Sequence, residues 1–149
     1  MSDVEVDQSG RTDVLTVDTV LALSDDLQRA ILIPKSAKRE CWARLRAREM
    51  RKALVGIRLF SAGLVLLLEE CVDSLASITI DLEYVAWEGE IKRHVLRKLR
   101  ERGHKIEKDQ IVFRQIGKES PAHKLAWRTL RGYHTPQRYI GVDELMGAC

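Results

Sequence analysis

The sequence predicts an α/β fold, with a mixed sheet in which an antiparallel hairpin joins a parallel strand-helix-strand unit and helices pack on the sheet. Three patterns carry that expectation. Residues 78–84 alternate, with Ile78, Ile80 and Leu82 on one side and Thr79, Asp81 and Glu83 on the other, as a strand with two unlike faces requires. A helical period over 90–102 and a second apolar run over 111–116 follow it. Upstream, the short apolar runs 19–23 and 28–33 flank Ser24-Asp25-Asp26-Leu27, a composition suited to a hairpin turn.

Taken in order, residues 1–16 are polar and acidic and hold no sustained helical period. They are expected to form a leader, disordered or irregular, ahead of a single α/β domain over 17–149. Pro34 closes the hairpin. From Lys35 the pattern turns helical, with Ser36 at a capping position and Ala37, Trp42, Leu45, Ala53, Leu54 and Ile57 forming a buried side. Gly56 and Gly63 are expected to kink or divide this segment, which ends in the apolar stretch 64–68. In the helix over 90–102, Ile91, Val95, Leu96 and Leu99 face the sheet and Gly103 is the stop. Ser120 and Pro121 stand where an N-cap and a first helical residue belong, and that helix runs to Arg131 before Gly132. The tail offers one more turn at 142–146.

A chain of 149 residues, 45% hydrophobic and 32% charged, can bury one core. Its formal charge of +3 is uneven: seven acids face only Arg11 before Leu27, and the remainder is basic enough to meet a polyanion. Three cysteines, odd in number and without CxxC spacing, indicate neither a disulfide framework nor a zinc knuckle. The longest uncharged apolar stretch, 59–68, falls short of the roughly 20 residues of a membrane helix. The acidic start lacks the basic and apolar regions of a signal peptide, so the expected location is cytoplasmic with no membrane partner.

Aspartate is depleted in strands, which makes Asp81 the first candidate for chemistry, with Glu83 beside it as a second metal ligand. His123, in the first turn of its helix, is suited to metal binding or proton transfer, and Gly117 to Ser120 with Lys118 to holding a phosphate. His94, His104 and His134 lack ligand spacing and read as surface residues. Arg44, Arg48, Arg51 and Lys52 lead a cationic surface continued at 90–102 and at Lys124, Arg128 and Arg131, with Trp42, Trp87, Trp127 and Tyr133 available to stack. This surface predicts nucleic-acid binding, mainly through phosphates.

Glu49 within a helix, a strand carrying Asp81, a helix, a strand, and then Gly117-Lys118-Glu119-Ser120-Pro121-Ala122-His123-Lys124-Leu125-Ala126 form an order that resembles the latter part of the ribonuclease H-like superfamily, over about 49–132. The resemblance implies divalent metal ions, Mg2+ among them, and phosphodiester hydrolysis in nucleic acid, with Glu49, Asp81 and His123 as the catalytic set. The superfamily also places an aspartate inside its first strand. Here Asp25 and Asp26 in the turn are available, or Asp18 if the strand starts near Leu15. It usually has three strands before its first helix, where two are legible. The competing expectation is a non-catalytic module of the same fold, whose basic helices or 64–68 region bind a partner or form a homo-oligomer.

Overall fold

The structure, a computed structural model, describes residues 1–149. Strands β1 (Ser2–Ser9), β2 (Thr19–Asp25) and β3 (Gln28–Ile33) precede helices α1 (Lys35–Ala47) and α2 (Lys52–Leu68). Then come β4 (Leu75–Asp81), α3 (Glu88–Glu101), β5 (Ile111–Arg114), α4 (Pro121–Leu130), β6 (Arg138–Tyr139) and α5 (Val142–Ala148). The six strands form one mixed sheet in the order β5-β4-β1-β2-β3-β6. The expected hairpin is β2-β3, and the expected parallel pair is β4-β5, joined through α3.

The principal correction concerns the first sixteen residues. Residues 2–9 are not a leader but β1, which lies in the middle of the sheet, antiparallel to β2 and parallel to β4. Three strands therefore precede the first helix, and residues 2–9 belong to the same sheet as the rest. Val4 and Val6 enter the core, while Glu5 and Asp7 on the other face find partners in Ser120 and His123. The acidic composition concealed a period of two.

The two faces of the sheet are covered unequally. On one, α1, α2, α3 and α5 pack over the large core, to which β1, β2 and β4 contribute Val6, Leu21, Leu23, Ile78 and Ile80. On the other, α4 alone lays Leu125 and Ala126 against Val20, Ala22 and Ala30. Leu64 to Leu68 are buried in the first of these cores, so they offer no surface to a partner. No helix is long and apolar enough to cross a membrane, and the three cysteines are free.

The break between α1 and α2 falls at 48–51, where Glu49 adopts a left-handed φ of 65°. It does not fall at Gly56 or Gly63, which lie inside α2. Those glycines permit close packing instead: a Cβ at Gly63 would stand 2.5 Å from Leu21 Cδ1, and one at Gly56 2.7 Å from Asp13 Cβ. At the carboxyl end, α5 extends the predicted turn to seven residues.

Candidate metal centre

Strands β1 and β4 run side by side in parallel, in a register that pairs Val6 with Ile80. Asp7 and Asp81 come one residue later on each strand, at the carboxyl ends where ligands of open α/β sheets gather. Side chains alternate across a sheet, so the core face taken by Val6 and Ile80 leaves both aspartates on the face covered by α4. Asp81 is then held by the neighbouring connection, its Oδ1 accepting the N–H of Ile116 at 3.0 Å. Two residues beyond β4, Glu83 accepts from Gln8 Nε2 at 2.6 Å, and Gln8 is also hydrogen-bonded to the buried phenol of Tyr84.

His123 arrives from a helix start that the sequence specifies locally. The Ser120 side chain caps α4 by accepting from the Ala122 N–H, and its hydroxyl donates to Glu5 Oε1 at 2.9 Å, which ties the helix start to β1. This docking places His123 Nδ1 2.7 Å from Asp7 Oδ2. On the other side, the loop after β1 is secured from below. Lys38, fully buried, donates to the carbonyls of Arg11 and Val14 at 3.1 and 2.6 Å, and Thr12 donates to the Gly56 carbonyl at 2.8 Å. Burial lowers the Lys38 ammonium to a pKa of about 8.

Asp7, Asp81 and Glu83 can together hold a metal ion: each offers an oxygen, and the three lie within 4.8 Å of one another. Burial pushes Glu83 up to about 7, with the charges of Asp7 and Asp81 adding to the effect. Asp7 is raised as well, by burial against the opposing His123 hydrogen bond and further by Asp81. The nearest guanidinium, Arg11, is 3.9 Å from Glu83 and is committed to Asp13 at 3.0 Å. Three clustered carboxylates are therefore short of positive charge, and an all-oxygen donor set of this kind suits a hard divalent cation. They line a cavity of about 270 Å³ with Gln8, Lys118 and His123.

Of the residues singled out from sequence, Asp81, Glu83, His123 and Lys118 share this cavity. Asp7, in the segment expected to be a leader, completes it and is the acid of the first strand. Its signal was the alternation Val4-Glu5-Val6-Asp7 ahead of Gly10. The hairpin acids do not enter: Asp25 and Asp26 are exposed at the β2-β3 turn, and Asp18 accepts the Lys35 N–H at the start of α1. Glu49 is exposed in the α1-α2 turn, outside the acidic group. Arg44 pairs with Glu40, Arg48 and Arg51 flank the same turn, and Lys52 lines an adjoining cavity. His94 is buried rather than superficial, its Nε2 lying 2.8 Å from the Ala148 carbonyl.

Comparison with protein-family models, curated proteins and solved structures gives no significant match.

Proposed function

We propose that this protein is a ribonuclease H-like phosphodiester hydrolase that acts on nucleic acid with Mg2+. The observation that carries this reading is the convergence of Asp7, Asp81 and Glu83 within 4.8 Å at the ends of two parallel strands. Two further features support it. Three strands precede the first helix, and the first of them carries an aspartate, as the superfamily requires. The third carboxylate is Glu83 in place of the helix glutamate expected at position 49.

In this site Asp7, Asp81 and Glu83 would hold the metal, which when bound supplies activation of water and stabilisation of the leaving oxygen. The protein's own groups do the remainder. His123, which lines the cavity, fixes the Asp7 carboxylate through Nδ1 and keeps Nε2 available for a proton. Lys118, at the same cavity, meets the charge of the phosphate. The buried amide of Gln8 holds Glu83 in place.

The test is cleavage of end-labelled RNA, DNA and hybrid substrates with Mg2+ and with chelator. Cleavage by the parent that requires the metal, and its loss in Asp81→Asn with the fold intact, is the expected result. Unchanged cleavage in the Asn variant removes the site from the mechanism. A parent that cuts nothing with any divalent metal points to the non-catalytic module.

A further inference from the structure

The acidic cavity shares a lining residue with each of two neighbours. Glu83 lines both it and a larger cavity of about 680 Å³, whose other walls come from α1, α2 and the loops that follow β1 and β4. His123 lines both it and a third cavity, of about 300 Å³, on the surface of α4. The three hollows adjoin through Glu83 and His123, with Asp7 and Asp81 in the lining of the middle one.

Each flanking hollow combines indole with cation. The larger holds Trp42 and Trp87, with Lys52 beside them. The smaller holds Trp127 with Lys124 and Arg128. Trp127 is 42% exposed, lies under the Arg131 guanidinium at 4.0 Å and stacks at 24° on Tyr133, which is 76% exposed. Lys52, Lys118 and Arg128 form no ion pair with any carboxylate, whereas Lys124 is paired with the exposed Glu119. Cations without a carboxylate partner in cavities that indoles also line are the chemistry of a polyanion whose units carry planar bases. A base inside a duplex keeps both faces stacked on its neighbours, so only an unpaired base can enter a cavity between Trp42 and Trp87.

We infer that this line of cavities is a groove for single-stranded nucleic acid, with an unpaired base seated against Trp42 and Trp87 and the adjoining phosphate over the acidic group. The placement of the phosphate rests on the hydrolase reading above; the preference for an unpaired strand does not. The strand continues past His123 onto Trp127, where Arg128 and Lys124 neutralise the next phosphates.

The experiment measures fluorescence anisotropy of a labelled twelve-nucleotide oligo(dT), and of the same strand in a blunt duplex, with Mg2+ in an Asp81→Asn background that prevents cleavage. The single strand should bind at least about tenfold more tightly than the duplex. Replacing Trp87 or Trp127 by Ala should weaken single-strand binding by roughly 5- to 150-fold, the range for loss of one stacked base. Trp87→Phe, which retains a ring in the partly packed wall, should restore most of the affinity, and Lys52→Ala should flatten the salt dependence. Equal affinity for strand and duplex, no binding at all, or unchanged binding in both Ala variants overturns the groove. Cleavage by the parent chain, assayed separately, reports on the hydrolase reading: its absence alongside Trp-dependent binding sinks hydrolysis and leaves the groove standing.

Discussion

The imidazole Nδ1 of His123, in the first turn of α4, lies 2.7 Å from Oδ2 of Asp7 near the end of β1, a hydrogen bond between residues 116 positions apart. Asp7 is buried and His123 about one third exposed, so the contact joins an acid in the sheet to a group that reaches solvent. An outer partner of this kind orients a metal-binding carboxylate. His123→Ala is therefore expected to fold normally and to lower metal-dependent cleavage by about 10- to 100-fold. Single-turnover rates across a Mg2+ titration would check this, and an unchanged rate at every concentration would exclude the role.

The acidic group also carries a stability signature that does not depend on activity. Asp7, Asp81 and Glu83 repel one another without a cation, and Arg11 compensates only in part. Divalent metal should raise the melting temperature in proportion to the logarithm of its concentration above its dissociation constant. Asp81→Asn retains an acceptor for the Ile116 N–H and removes one negative charge. It should melt higher than the parent in chelator, and its metal-induced rise should be much reduced. Thermal scans with EDTA, Mg2+ and Mn2+ decide this; a variant that melts below the parent in chelator would show that repulsion does not dominate.

His94 provides a pH-dependent test of the core. Burial lowers its pKa from 6.5 to about 4, so near neutrality it is uncharged, donating Nε2–H to the Ala148 carbonyl and accepting from Arg97 at Nδ1. Between pH 6.5 and 4 the unfolded chain binds the proton and the folded chain does not. The stability that this residue contributes is complete above 6.5 and falls with pH through that window, by about 3 kcal/mol in total. Glu83, raised to about 7, gains stability as the pH falls over much of the same window, so the parent's own slope does not isolate His94. In urea denaturation at stepped pH the stability of the parent minus that of His94→Gln should fall between pH 6.5 and 4, and a difference that stays constant over that window would contradict the assignment.

Gly10 follows β1 with a φ of +75°, and a Cβ there would stand 2.1 Å from the Asp18 carbonyl oxygen. Gly10→Ala incurs roughly 1–2 kcal/mol for the left-handed backbone alone, before the backbone clash is counted. The loop it starts carries Thr12, bonded to the Gly56 carbonyl and the Tyr84 phenol, and the carbonyls bound by Lys38. The variant should lose more than about 2 kcal/mol in urea titration and bind metal more weakly. Parent-like stability would mean that the loop can shift without cost.

Much of the architecture was legible because it is written over short distances. The alternation around Asp81 marks β4, and the Ser120-Pro121 pair marks the start of α4, since a two-residue period and a capping hydroxyl are properties of neighbouring residues. Even there the boundaries moved: β4 ends at Asp81, which leaves Glu83 in the following loop, free to turn toward Gln8. The α1-α2 break was misplaced because glycine signals both helix breaking and close packing. Only the positions of Asp13 and Leu21 show which applies at Gly56 and Gly63.

By itself the sequence determined that strands and helices alternate in an α/β order, that Asp81, Glu83 and His123 are the polar groups at one end of that unit, and that the body is basic. Tertiary structure alone decided that residues 2–9 are a central strand, that Asp7 joins Asp81 and Glu83 while Glu49 stands apart, and that His94 is buried. The physical reason is that local periods and caps act within a few residues of chain. A metal centre is set by strand register and helix docking between segments far apart, and the pairing of β1 with β4 brings Asp7 to Asp81 by a hydrogen-bond ladder that neither segment specifies alone.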